Sequence, residues 1–174
     1  MTKDKGDVYI GRCFDLCVGK GHALPVGHED RTYKGRVVFG GNDVWTQDRD
    51  IAVFQELASQ PATLEASCAA DAYGCVEGHT IEQADAEQAY TQSVLGGTPT
   101  WVRLPKEQWP QAWLDAGYTD PVCPLILALY GHPDSGGYWE RHCAEHLLAI
   151  GFATVPEWQS VFWHPDHQCL LVVY

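Results

Sequence analysis

The stretch from His132 to Tyr174 constrains the fold most, because it sets turn chemistry between two different hydrophobic periods. HPDSGG is a turn-forming cluster. The YWERHCAEHLLAIGF that follows places Trp139, Cys143, Leu147 and Ile150 on one helical face, and Gly151 supplies the stop signal. Two β-rich runs come next, QSVFWH and CLLVVY, with HPDHQ between them, and this order predicts a hairpin. The last run reaches Tyr174 without a terminating signal, which predicts a truncated segment ending in an apolar edge strand. An edge of that kind can pair with a protein partner.

The earlier part of the chain reads as short elements in one domain, without repeats or low-complexity tracts. Residues 7–20 and 33–39 are β-rich around the polar loop HALPVGHEDRT, which predicts a second hairpin. Residues 61–78 open with proline and threonine and place Leu64, Cys68, Ala72 and Cys75 at helical spacing, so an amphipathic helix with that apolar face is expected. A short extended segment should follow and carry Asp85 at its end, and TWVRLP reads as another strand. The run CPLILALYG fits either a strand or a buried helix.

Composition narrows the setting. No apolar run reaches membrane-spanning length, and MTKDKGDVYIG has no signal-peptide core, so an intracellular protein, cytoplasmic or nuclear, is expected rather than a secreted one. Seven cysteines without a paired CxxC suit reduced thiols. The net charge of −12 opposes a general affinity for nucleic acid, whose phosphates are neutralised by Lys and Arg, so such a function needs a local basic groove.

Few isolated motifs carry chemistry. HCAEH matches H-x-x-E-H, in which His142 and His146 share a helical face and could chelate zinc. Downstream ligands are limited to His164, Asp166 and His167, and the alternative is that His142, Glu145 and His146 form the solvated face of the helix. Cys13 and Cys17 with His22 and His28 fit a metal site only loosely, and strand spacing makes the two cysteines core or edge residues more simply. The glycine pairs Gly40-Gly41, Gly96-Gly97 and Gly136-Gly137 lack the lysine and spacing of a phosphate loop.

Four collinear blocks carry a resemblance to copia-type retrotransposon reverse transcriptases. QADAEQAYTQS resembles the family's Q-M-D-V-K-T-A-F-L-N-G, and YKGRVVFGG at 33–41 resembles Y-K-A-R-L-V-A-R-G. CPLILALYGHPDSGGYWERHCAEHLLAIGF resembles C-x-L-x-x-S-L-Y-G-L-K-Q-A-P-R-x-W followed by L-x-x-x-G-F, and CLLVVY resembles the strand that ends in the Y-V-D-D turn. The resemblance implies an α/β (α+β) fold of reverse-transcriptase type, an antiparallel sheet packed on helices. In it, residues 1–60 would be fingers-like, and 61–174 palm-like with interleaved fingers elements.

It also implies an RNA-directed DNA polymerase that uses Mg²⁺ and meets a primer-template and a deoxynucleoside triphosphate. Asp85 would be the catalytic, metal-binding carboxylate, and Tyr90 the aromatic that excludes a ribose 2′-hydroxyl. Lys34 and Arg36 would hold the triphosphate, with Asp134 in the nucleotide-binding turn. Several positions depart from the pattern. The family's aspartate pair would follow Tyr174, the family's L-K-Q-A-P reads His132-Pro133-Asp134-Ser135-Gly136, and Glu87 stands in place of a lysine. These changes remove contacts to a polyanion, and thumb, connection and nuclease regions are missing as well, so the expectation is a segment with little or no polymerase activity of its own.

Overall fold

A computed structural model describes residues 7–54 and 61–174. Residues 1–6 and 55–60, both in the part that the resemblance makes fingers-like, lie outside the described residues. The described chain is mixed α and β, with strands β1 (Tyr9–Gly19), β2 (Tyr33–Phe39), β3 (Trp45–Thr46), β4 (Thr100–Arg103), β5 (Cys123–Pro124), β6 (Ala153–Thr154), β7 (Val161–His164) and β8 (Cys169–Val172). Its helices are α1 (Leu64–Gly74), α2 (Gln111–Asp115) and α3 (Ser135–Ala149). None of them is long and apolar enough to cross a membrane.

The expected first hairpin forms, with Cys13 opposite Phe39 and Gly19 opposite Tyr33. Its base continues into a five-stranded sheet in which β1 is central and also pairs with β3 and β4. The sheet is not wholly antiparallel, because β4 runs parallel to β1, with Tyr9 beside Thr100 and Arg12 beside Arg103. A parallel neighbour requires a long crossover rather than a tight turn, and the long segment between β1 and β4 supplies it. The core collects at the hairpin base, where Cys13, Phe39, Val44, Ala52 and Val102 are buried together. Beyond it β1 is exposed on both faces, from Phe14 to Gly19.

CPLILALYG resolves as extended chain rather than helix. Only β5 is regular, and then Leu127 bridges Val94 while the Ala128 N–H donates to the Ser93 carbonyl at 3.0 Å. Ala128 is fully buried. Proline at 124 and the β-branched Ile126 favour this conformation over a helix start.

Helix α3 forms as predicted and half-buries Trp139, Cys143 and Leu147, with Ile150 exposed just beyond its end. Gly151 ends it at a φ of 103°, where a Cβ would come within 2.8 Å of His164 Nε2. The predicted C-terminal hairpin is β7–β8, and β6 adds a third strand. His164 ties the pieces together. Its Nδ1 accepts from the His167 N–H at 3.3 Å, which leaves Nε2–H to donate to the Ile150 carbonyl at 3.1 Å. Strand β8 is the sheet edge, but Leu170 to Val173 are half-buried, since α1 packs on this strand and the Ala62 N–H reaches the Val173 carbonyl at 3.4 Å.

Helix α1 starts where proline and threonine predict it, with Thr63 Oγ1 accepting from the Ala66 N–H at 3.3 Å. Its docking face is the reverse of the expected one. Leu64, Cys68, Ala72 and Cys75 are exposed, whereas Ala66 is buried and Ala69, Ala70 and Tyr73 are half-buried. Tyr73 explains the reversal, because its ring packs edge-on against Trp163 at 5.8 Å and His79 at 4.4 Å, and its hydroxyl donates to the Gln168 carbonyl at 3.0 Å. One large aromatic with a satisfied hydroxyl, flanked by small alanines, outweighs a stripe of one leucine and two thiols.

The two faces can be told apart by stability. Tyr73→Ala should cost about 2 kcal/mol by denaturant unfolding, and Leu64→Ala less than about 0.5 kcal/mol. Equal costs would mean that α1 docks through its Leu64 face.

Candidate functional site

The residues that the retrotransposon resemblance singles out do not all meet. Three segments converge on Tyr130. The 93–95 and 126–128 segments run antiparallel, with the Leu95 N–H donating to the Ile126 carbonyl at 2.8 Å. That register carries Tyr90, in the 3₁₀ turn Ala89–Gln92, alongside Tyr130 at the far end of the pairing. The two rings lie 4.5 Å apart between centroids, tilted by 56°.

The β1–β2 hairpin arrives from the other direction. The Phe39 N–H at the end of β2 donates to the Tyr130 carbonyl at 2.7 Å. Gly131 follows at a φ of 89°, and a Cβ there would strike the Phe39 carbonyl oxygen, while a Cβ on Gly41 would strike the Gly131 oxygen. Two glycines therefore allow main chain to lie on main chain. Three residues before Phe39, Arg36 extends over the Tyr130 ring with its guanidinium carbon 5.5 Å from the centroid, a cation–π distance.

Arg36 is exposed and enters no ion pair among the described residues. Lys34, two residues away on the same strand face, is exposed as well. The contrast with the groove between β1 and the 104–107 segment is informative. Arg12 and Arg103 line that groove, but Arg12 binds Asp43 at 3.0 Å and Arg103 binds Asp120 at 2.9 Å. The Arg36 charge is not neutralised by any carboxylate among the described residues, and a planar guanidinium fork is of the geometry that matches phosphate or carboxylate.

Asp134 lies at the N-cap of α3, and its N–H donates to His132 Nδ1 at 3.2 Å. Ser135 holds the same turn, its hydroxyl donating to the Leu129 carbonyl at 2.8 Å and accepting from the Leu129 N–H at 3.0 Å. His132 is buried between Phe39 and Phe54, 5.0 Å from each ring, and its Nε2 finds no hydrogen-bond partner among the described residues. Burial lowers its pKa from the ordinary 6.5, while nearby Asp134 pulls the other way. Neither His132 nor Tyr130 stands out in the sequence as a site residue. The signal for Tyr130 is the L-Y-G triplet, in which the glycine allows the turn that the tyrosine enters.

Asp85 lies elsewhere in character. It lies near the end of the exposed stretch 80–86, which has no turn, bend or strand partner, just ahead of the turn that leads into Tyr90. Among the described residues no three His, Cys, Asp or Glu side chains gather as a metal-ligand group. That applies to Asp85 and equally to the zinc alternative. His142 and His146 do share a face of α3, with rings 4.3 Å apart, but His146 Nδ1 is taken by the His142 carbonyl at 2.8 Å and His164 is committed to Ile150. Cys13 is buried and Cys17 exposed, and all seven cysteines are free thiols. Burial, with Cys123 and Asp15 nearby, pushes the Cys13 thiol up to about 11, the opposite of a nucleophile's requirement.

Two outcomes follow from this geometry. Gly131→Ala should lower stability by about 2 kcal/mol or more, since it adds both positive-φ strain and a main-chain clash, and should shift the Arg36 side-chain resonances. His132 is held neutral in the fold, so the unfolded chain binds the extra proton and stability should fall as pH drops from about 6.5 toward the lowered folded value. His132→Phe should flatten that part of the stability–pH curve, and an unchanged slope would remove His132 as its source.

Compared with protein-family models, with curated proteins and with solved structures, the chain matches none of them.

Proposed function

We propose that this chain is a nucleotide-positioning segment of a copia-type reverse transcriptase, comprising fingers-like and partial palm-like parts. The observation that carries the reading is the meeting of Arg36 and Tyr90 at Tyr130. The resemblance gives those two residues complementary tasks on one ligand, the triphosphate and the sugar, yet they lie far apart in sequence. A triphosphate needs a planar cationic donor, and a deoxyribose needs an apolar surface that leaves no room for a 2′-hydroxyl. Arg36 and the paired rings of Tyr90 and Tyr130 supply both within one cluster.

Metal chemistry is a different matter. Two-metal phosphoryl transfer needs several carboxylates around both ions, and the described residues around Asp85 do not make such a site. On this reading the segment binds and orients a nucleotide, and has little or no polymerase activity alone.

A second reading rests on β8. As the edge of its three-stranded sheet it leaves one side of its backbone unpaired by a strand, which suits addition of a strand from a protein partner in a non-catalytic assembly module.

The first reading is tested by titrating the chain with a deoxynucleoside triphosphate and with a labelled primer-template at low salt in Mg²⁺. Binding should weaken steeply as salt is added, and Arg36→Ala should cost about tenfold in triphosphate affinity. Absence of both interactions at low salt would reject the polymerase reading and leave the assembly reading, whose signature is association through residues 169–174.

A further inference from the structure

We infer that Tyr130 is a positioning residue, one ring that sets the Arg36 guanidinium and the Tyr90 ring relative to each other. The identity of the ligand they meet rests on the polymerase reading. The positioning itself rests on contacts within the chain.

Arg36 lies on an exposed part of β2, where a long flexible side chain would otherwise sample many rotamers. No carboxylate among the described residues pairs with it, so the contact with Tyr130 is the interaction that restrains the guanidinium. Tyr90 sits in a short 3₁₀ turn whose preceding residue, Gln88, has a φ of 52°, and its ring rests against Tyr130 at 4.5 Å. The backbone of Tyr130 is clamped independently. Its carbonyl accepts from Phe39, the preceding Leu129 is held at both N–H and carbonyl by the Ser135 hydroxyl, and Gly131 is packed against the Phe39 main chain. A ring on so constrained a backbone is a fixed reference for two side chains on less constrained ones. Phosphate recognition and sugar discrimination are therefore coupled through it, and loss of the ring should affect both.

The test uses the whole chain, with Tyr130→Phe and Tyr130→Leu beside the native protein. NMR should find the Arg36 side-chain protons shifted by the ring current in the native and Tyr130→Phe proteins, and released in Tyr130→Leu. Because Tyr130→Leu could disturb folding, Arg36→Gln, a change at an exposed position, provides a second measurement. It should move the ring resonances of Tyr130 and also those of Tyr90. In titrations with 2′-deoxyadenosine triphosphate and with ATP, Tyr130→Leu should weaken the deoxynucleotide about tenfold and narrow the difference between the two ligands, and adding Arg36→Ala should cost little more. Tyr130→Phe should keep both properties. Arg36 shifts that survive in Tyr130→Leu, or Tyr90 resonances indifferent to Arg36→Gln, would overturn the inference whatever the binding data. Ring-current shifts that respond to Tyr130 in a native protein that binds neither nucleotide would uphold the positioning and reject the polymerase reading.

Discussion

The contact on which the candidate site depends is between backbones. The end of β2 lies directly on the Tyr130–Gly131 turn, joined by the Phe39 N–H to the Tyr130 carbonyl, with no room for a side chain at Gly131 or Gly41. Main-chain contacts of this kind have little slack, because a hydrogen bond of 2.7 Å is lost by a small displacement. The buried Phe39 and His132 rings pack beneath it and carry the apolar part of the junction. Everything placed around Tyr130 inherits its position from that junction.

Electrostatics gives the site a second character. A chain of net charge −12 repels a polyanion over most of its surface, and two of its arginines are neutralised by aspartates at the β1–β4 boundary. Holding Arg36 with an aromatic ring instead of a carboxylate restrains the side chain without cancelling the charge. Such a contact contributes only about 0.5–1 kcal/mol at an exposed site, so it orients the cation more than it stabilises the fold. Lys34 adds to the same face of the hairpin.

Much of the architecture was legible from periodicity and turn chemistry. Both hairpins, α3 and its glycine stop, and β4 lie where those signals place them, since each is decided by local residues. Two features were not legible. The docking face of α1 depends on Tyr73 finding Trp163 and the Gln168 carbonyl, partners some ninety residues away that no window along the helix contains. The parallel pairing of β1 with β4 is likewise invisible to local pattern. Within the site, the family resemblance picked out Arg36 and Tyr90 but not the residue joining them. In the sequence Tyr130 is only one member of a matching triplet, and its part becomes visible once the 93–95 and 126–128 segments pair.

The parallel alignment of β1 and β4 also bears on the order in which the molecule assembles. The β6–β8 sheet and α3 are neighbours in sequence and can close on themselves by short loops. The central sheet must bring β1 and β4 together, with Tyr9 beside Thr100, across most of the first half of the chain, and bears the larger loop-closure entropy before any ladder is complete. During synthesis the β1–β2 hairpin therefore leaves the ribosome with one edge of β1 open, and that edge is filled only when residues 100–103 emerge. Until then the chain displays an unpaired strand beside a partly formed core, which makes this interval the one in which association with other strands competes with folding.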